Sequence, residues 1–260
     1  MAVTYSSYLK LDELLALQRP LSDGPEHDET LFIVIHQVYE LWFKQLIHEL
    51  DFLIETLGQR DPARALHTLK RVLTILKVIV HQIDILETMT PLEFLSFRAR
   101  LEAGSGLQSW QFRELEFLLG AKNPSVLERY APGGEPRRRL ERRLAEPTLW
   151  DAFLRYLAAC GHAIPGEALA RDVTQPLEPA PSLHPVLIRL YREDPGARTL
   201  CERLVDLDEG LMEWRYRHVK MVQRTIGTKR GTGGSAGAAY LKTTLDRPLF
   251  PDLWDIRTEL

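Results

Sequence analysis

Cysteine is scarce in this chain and long apolar runs are missing. Only Cys160 and Cys201 occur among 260 residues, far apart and in no C-x-x-C arrangement. A reduced, cytoplasmic setting is the expectation from that usage. No apolar stretch approaches the ~20 residues of a membrane-spanning helix. The opening MAVTYSSYLKLDELL has neither a signal-peptide nor a transit-peptide pattern. Excess charge of one sign is absent too. The chain has 33 Lys and Arg against 36 Asp and Glu, a net charge of −3, so no bulk electrostatic case for nucleic acid exists. Internal repeats, low-complexity tracts and strand-like alternation are all lacking. What remains is 45% hydrophobic and 27% charged, a globular composition with ample material for a large core.

Helical periodicity fills most of the chain. Tyr5 to Gln18 reads as a short amphipathic helix that is marginal alone and needs a partner surface. Thr30 to about Leu57 predicts the longest helix, roughly 40 Å at 1.5 Å per residue. Leu31, Ile35, Val38, Trp42, Leu46 and Leu53 form one apolar stripe on it, and Phe32, His36, Tyr39 and Phe43 a second. A helix apolar on two sides is buried in a bundle, which places His36 inside. Asp61 to about Thr88 predicts a second long helix. Thr90-Pro91 starts a third, with proline at the first helical position, and Gly104-Ser105-Gly106 breaks it. Gln108 to Leu119 resumes as helix. Between 121 and 190 prolines accumulate and the pattern weakens. The arginine run there predicts a solvated helix face paired with Glu135, Glu141 and Glu146. Pro185 to Arg192 and Ala197 to Ile226 return to helix. The reading is one all-α domain over 1–260, a helical bundle with a less regular excursion at about 121–190.

The stretch Glu213–Leu241 joins two unlike halves. Leu211, Trp214, His218, Met221, Val222 and Thr225 recur at three- and four-residue spacing and share one helix face. That face is apolar apart from His218 and Thr225. A lone histidine on such a face is more often a satisfied core residue than a ligand. Gly227 to Gly237 then holds five glycines, which predicts a loop. GTKRGTGG lacks the Gly-Lys-Ser/Thr ending of a phosphate-binding loop. A histidine on a helix followed at once by such a loop is a possible ligand and lid.

Three segments together resemble a known family. LFIVIHQVYELWFKQL (31–46), MTPLEFLSFRARLEAGSGLQSWQFRELE (89–116) and WRYRHVKMVQRTIGTKRGTGGSAGAAYL (214–241) are each similar to their counterparts in the tryptophan 2,3-dioxygenase family. The opening YSSYLKLDELLALQ and the ending FPDLWDIRTEL also fit, while 121–200 resembles it only faintly. The resemblance implies a haem b domain. By it His218 is the proximal ligand of the iron and His36 the distal histidine that meets the indole N–H. Phe32 walls the indole, Arg98 holds the substrate carboxylate and Thr232 contacts the amino-acid end. Phe94 and Leu101 line the pocket, and Ser105 and Gly106 lie near the distal face of the haem. Tyr5 and Tyr8 reach into a neighbouring subunit, within a homotetramer. With no C-x-x-C-H the haem is held without thioether bonds. Two departures from the family pattern sit beside the substrate region: Leu107 replaces a common phenylalanine and Ala236 a serine.

The chemistry implied is insertion of both atoms of O₂ into L-tryptophan at ferrous haem, giving N-formyl-L-kynurenine. Besides a helical scaffold with no haem, two alternatives stand against it. One is a related haem monooxygenase making a 2-oxindole from tryptophan or β-methyltryptophan. The other is a haem protein that binds gas without turnover, which has no need of Arg98, Thr232 and a closing loop. No nucleic acid or membrane partner is expected.

Overall fold

Proline and a capping side chain mark the start of most helices, and these signals set the architecture. The structure, a computed structural model, describes residues 2–24, 26–232 and 237–260. In chain order the helices are α1 (Tyr5–Leu9), α2 (Leu11–Leu15), α3 (His27–Gly58), α4 (Pro62–Leu86), α5 (Pro91–Arg98), α6 (Trp110–Leu118), α7 (Glu135–Ala145), α8 (Leu149–Ala159), α9 (Gly166–Leu169), α10 (His184–Glu193), α11 (Pro195–Ile226), α12 (Ala238–Lys242) and α13 (Pro251–Asp255). Short 3₁₀ turns join several of them. No strand occurs among the described residues, so the all-α expectation holds.

The capping chemistry is explicit. Asp61 accepts from the Arg64 N–H ahead of Pro62, and Asp194 accepts from the Ala197 N–H ahead of Pro195. Thr90 with Glu93, and Thr148 with Asp151, form reciprocal capping boxes. Each satisfies donors that a helix start would otherwise leave orphaned.

Three long helices carry the core. α4 packs along both α3 and α11, burying Leu50 and Leu53 with Leu69, Val72, Ile79 and Ile83, and with Leu200 and Leu204. Each such side chain contributes about 1.5–3 kcal/mol relative to exposure. Two polar ties fix the register of α3 on α4. The Tyr39 hydroxyl donates to the Ile79 carbonyl at 2.9 Å, and the Gln82 amide donates to the Ile35 carbonyl at 3.0 Å. α11 approaches α4 closely at Gly210, where a Cβ would lie 2.5 Å from a Leu76 methyl. Any larger residue there requires the Leu76 side chain to move.

Several boundaries differ from the sequence reading. The N-terminal helix is two short pieces, divided at Lys10, whose φ of 55° is left-handed. Neither piece buries a residue. α3 begins at His27 rather than Thr30, because Leu21 and Ser22 donate to the Glu29 carboxylate and lead the chain into it. The excursion is also less detached than its composition implied. α8 packs on α3 and sends Trp150, Phe153 and Leu157 into the main core. On α7 the expected pairs with Glu135, Glu141 and Glu146 form. Arg139 and Arg143 also turn inward to the fully buried Glu114 of α6, so that face is not solvated throughout.

One carboxylate ties the C-terminal segment down. Asp208 of α11 accepts through Oδ2 from the N–H groups of Leu249 (2.8 Å) and Phe250 (3.1 Å) and from the Trp254 indole N–H (2.9 Å). Asp208→Ala leaves three donors without their acceptor. It is expected to lower the unfolding free energy by about 3 kcal/mol, read from urea denaturation. A change below about 1 kcal/mol would show that the anchor is dispensable.

Candidate functional site

Helical spacing brings residues from α3, α6 and α11 onto one cavity. His36, Tyr39, Glu40 and Phe43 enter it from α3, one turn apart, and Trp214, Arg215, His218, Met221 and Val222 from α11. Phe112, Arg113 and Glu116 of α6, Tyr240 and Leu241 of α12 and the turn Ser105–Leu107 complete the wall. The cleft has about 1290 Å³ of empty space counting its open mouth. Its wall is mostly aromatic and aliphatic, the usual make-up of a site for an organic ligand.

The two histidines are prepared differently. The Nδ1–H of His36 donates to the Phe32 carbonyl at 2.7 Å. A carbonyl only accepts, so the neutral ring must carry its proton on Nδ1, which leaves Nε2 as a bare acceptor. Burial holds His36 below its ordinary histidine value, against the opposing pull of the Phe32 carbonyl and the Glu40 charge. His218 is pushed down to about 4 by burial, then by repulsion from His36 and Arg113. Neither of its ring nitrogens has a hydrogen-bond partner among the described residues. Its ring is parallel to that of Trp214, with centroids 5.1 Å apart and 5° between planes. Both imidazoles are therefore neutral at pH 7, and both offer a lone pair. No cluster of three or more His, Cys, Asp or Glu occurs among the described residues. The donor set is thus wrong for caging a bare ion, but a lone neutral imidazole would suit a metal that brings its other ligands with it.

Of the remaining expected site residues, Phe32, Phe94, Leu101, Arg98 and Thr232 do not line this cavity. Ser105 and Gly106 line it. The Phe32 ring sits 4.1 Å from that of His36 and 5.8 Å from that of Phe94, centroid to centroid. Leu101 is partly buried against the core. Arg98 stands at the end of α5, where its Nη2 donates to the Arg230 carbonyl of the glycine-rich loop at 2.5 Å. Its Nε–H is buried and has no acceptor, so the guanidinium has donor capacity to spare. The Thr232 hydroxyl donates to the Gly104 carbonyl. Loop and turn are thus joined beside Arg98. Residues 233–236, and with them Ala236, lie outside the described residues. Tyr5 and Tyr8 are not brought to the cavity. They stand 76% and 77% exposed on a helix that buries nothing.

Sequence reasoning missed several wall residues. Tyr39 and Trp214 were placed on the faces of His36 and His218 but given no role in the site, while Glu40 and Arg215 lie one turn from those histidines, so helical spacing could have found them. Phe97, which does not line the cavity, meets Phe32 edge-on at 5.5 Å. Arg113 and Glu116 carry no local signal; only the packing of α6 against α3 brings them to the wall.

Comparison with known proteins points to one family. The family model of tryptophan 2,3-dioxygenase matches residues 1–158 and 180–260. The gap falls on the irregular part of the excursion. A tryptophan 2,3-dioxygenase of Herpetosiphon aurantiacus is 61% identical over 261 residues, covering 100% of this chain and 99% of the relative. One from Anaeromyxobacter sp. is 58% identical, covering 100% and 97%. One from Nocardioides sp. is 50% identical, covering 99% and 95%.

The tautomer of His36 is directly measurable. Burial disfavours the charged ring, so ¹⁵N spectra at pH 6.5 should show His36 mostly neutral, with the proton on Nδ1. The unfolded chain takes up that proton first, so stability should fall as pH drops below about 6.5. Half-protonation at or above 6.5, or a proton on Nε2 of the neutral ring, would contradict the assignment.

Proposed function

The chain belongs to the tryptophan 2,3-dioxygenase family, and on that premise we propose a role for each residue of the cavity. The reaction is L-tryptophan + O₂ → N-formyl-L-kynurenine. The indole C2–C3 bond and the O–O bond break, and two C=O bonds form, so both oxygen atoms stay in the product. The observation that carries the reading is the pair of neutral histidines from α3 and α11 facing one apolar cavity. Neither alternative weighed above is supported by relatives that match the whole chain under the dioxygenase name.

His218 is the residue that would hold the iron of a haem b, non-covalently bound and ferrous in the active state. It is neutral, it lines the cavity and its ring nitrogens are unengaged. Trp214, packed parallel to it, holds the ring plane. When bound, the haem supplies the iron at which O₂ is taken up and activated.

The protein's own work is positioning. Arg98 takes the carboxylate of tryptophan, for which a planar guanidinium with an unspent N–H is suited. Thr232 steadies the amino-acid end from the loop. Phe32 and Phe94 wall the indole, with Leu101 behind them, and Ser105 and Gly106 leave room on the distal side. The Nε2 lone pair of His36 accepts the indole N–H. Its proton affinity is depressed, so it holds the ring in place rather than stripping the proton. Residues 228–232 cover the site once Arg98 has exchanged the Arg230 carbonyl for the substrate.

The same reading makes the assembly a homotetramer in the cytoplasm. Tyr5 and Tyr8, exposed in the single chain, complete a neighbour's site. Cys160 and Cys201 are unpaired, as a reducing compartment favours. No helix among the described residues is long and apolar enough to cross a membrane.

Three measurements test these roles. His218→Ala should purify with little haem, while His36→Ala keeps its Soret band; the reverse pattern would exchange the two assignments. Arg98→Ala should raise KM for tryptophan by the equivalent of about 2–5 kcal/mol, with the Soret band unchanged, and the parent should turn over tryptamine poorly. Equal turnover of tryptamine and tryptophan would remove Arg98 from the carboxylate. Deleting residues 1–12 should abolish activity, and light scattering on the parent should give four chains. A fully active monomer would refute the assembly.

A further inference from the structure

One part of the cavity wall has no role in that scheme. Arg113 and Glu116 of α6 and Arg215 of α11 all line the cavity, and all are more than nine-tenths buried, at 8%, 8% and 6% exposure. Arg113 Nη1 donates to Glu116 Oε2 at 2.5 Å, and Arg215 Nη2 donates to Oε1 of the same carboxylate at 3.2 Å. Arg215 Nη1 makes only a long bond, 3.4 Å, to the Thr244 carbonyl. Two guanidinium groups thus share one carboxylate, and a full positive charge is left over away from water. The Nε–H of Arg113 is buried with no acceptor at all. Glu40, the other acid on the wall, forms no ion pair with Arg113 or Arg215 among the described residues; the Gln111 amide donates to it at 2.8 Å instead.

A buried cation without a counter-ion is costly, and so is a buried donor without an acceptor. Both costs vanish if a ligand brings a carboxylate to this spot. The substrate carboxylate is already provided for by Arg98, which stands outside this wall beside the loop. The rest of the wall, with Phe43, Phe112, Ile83, Leu86, Val219 and Val222, suits a flat apolar body. A molecule that is an apolar disc with carboxylates on one edge matches both features.

We infer that Arg113 and Arg215 seat a propionate carboxylate of the haem itself, with Glu116 holding the two guanidinium groups in register. The inference rests on the reading that this cavity binds haem. Arg113 receives the carboxylate on its unsatisfied Nε–H edge, and Arg215 balances the charge. Arg98 and the Arg113–Arg215 pair are then two separate carboxylate sites, one for the substrate and one for the cofactor.

The test compares the full-length holoprotein carrying haem with the same protein carrying haem dimethyl ester, whose propionates are uncharged. Release into excess serum albumin is followed as loss of the Soret band. The parent should release the ester roughly ten- to a hundred-fold faster than haem, the loss expected for a charge-assisted bond. In Arg113→Met that ratio should collapse to within about threefold. Arg113→Lys keeps the charge but not the fork, and should restore part of it. Arg215→Met should reduce the ratio as well. Equal release of haem and ester from the parent would overturn the seat, as would an unchanged ratio in both methionine variants. If Arg113→Met does not fold, the parent ratio and Arg113→Lys decide the matter. A chain that takes up neither cofactor contradicts the haem reading itself, not the seat.

Discussion

Desolvation of two imidazoles on one cavity is the constraint to which the rest of the chain is fitted. Water would protonate a surface histidine near pH 6.5 and occupy its lone pair. Moving His218 from 6.5 to about 4 corresponds to on the order of 3 kcal/mol against its charged form. That bias comes first from burial in a mostly apolar wall, with Arg113 adding to it, and the wall requires long helices in fixed register. α3 supplies His36 and α11 supplies His218, while α4 packs along both. The bond from Tyr39 to the Ile79 carbonyl and the close approach of Leu76 to Gly210 set how those helices meet. The site's chemistry is therefore a consequence of core packing, and not of a local motif.

Buried charge also fixes elements in place. Glu114, wholly buried, receives Arg139 and Arg143, and Arg143 also reaches Asp51 of α3. This network ties α6 to α7 and α3, and so holds Phe112, Arg113 and Glu116 at the cavity. Buried ion pairs of this kind contribute little net stability, because desolvation offsets their attraction. Their effect here is to specify which face of α6 meets the cavity. The Asp208 anchor does the same for the C-terminal segment.

Much of this was legible in the sequence, for identifiable reasons. The all-α class followed from three- and four-residue periodicity, and the start of α5 from its proline at 91, whereas α11 begins at Pro195, two residues before the expected Ala197. His36 was placed inside because its helix is apolar on two sides. His218 was harder, since a lone histidine on an apolar face has a bland reading. The neighbouring segments and their family resemblance gave it a role. Three things were out of reach. The break at Lys10 depends on a single left-handed residue. The packing of α8 on α3 depends on contacts distant in sequence. The grouping of Arg113, Glu116 and Arg215 joins helices about a hundred positions apart, which no local pattern encodes.

The central claim is that this cavity holds an indole so that both oxygen atoms of one O₂ reach the same substrate. Isotope labelling tests it most directly. Reduced enzyme, L-tryptophan and ¹⁸O₂ should give a product that absorbs as N-formylkynurenine and carries two labelled atoms, with no reductant consumed per turnover. A product with one labelled atom and an oxindole spectrum, formed only when reductant is supplied at every cycle, would contradict the account.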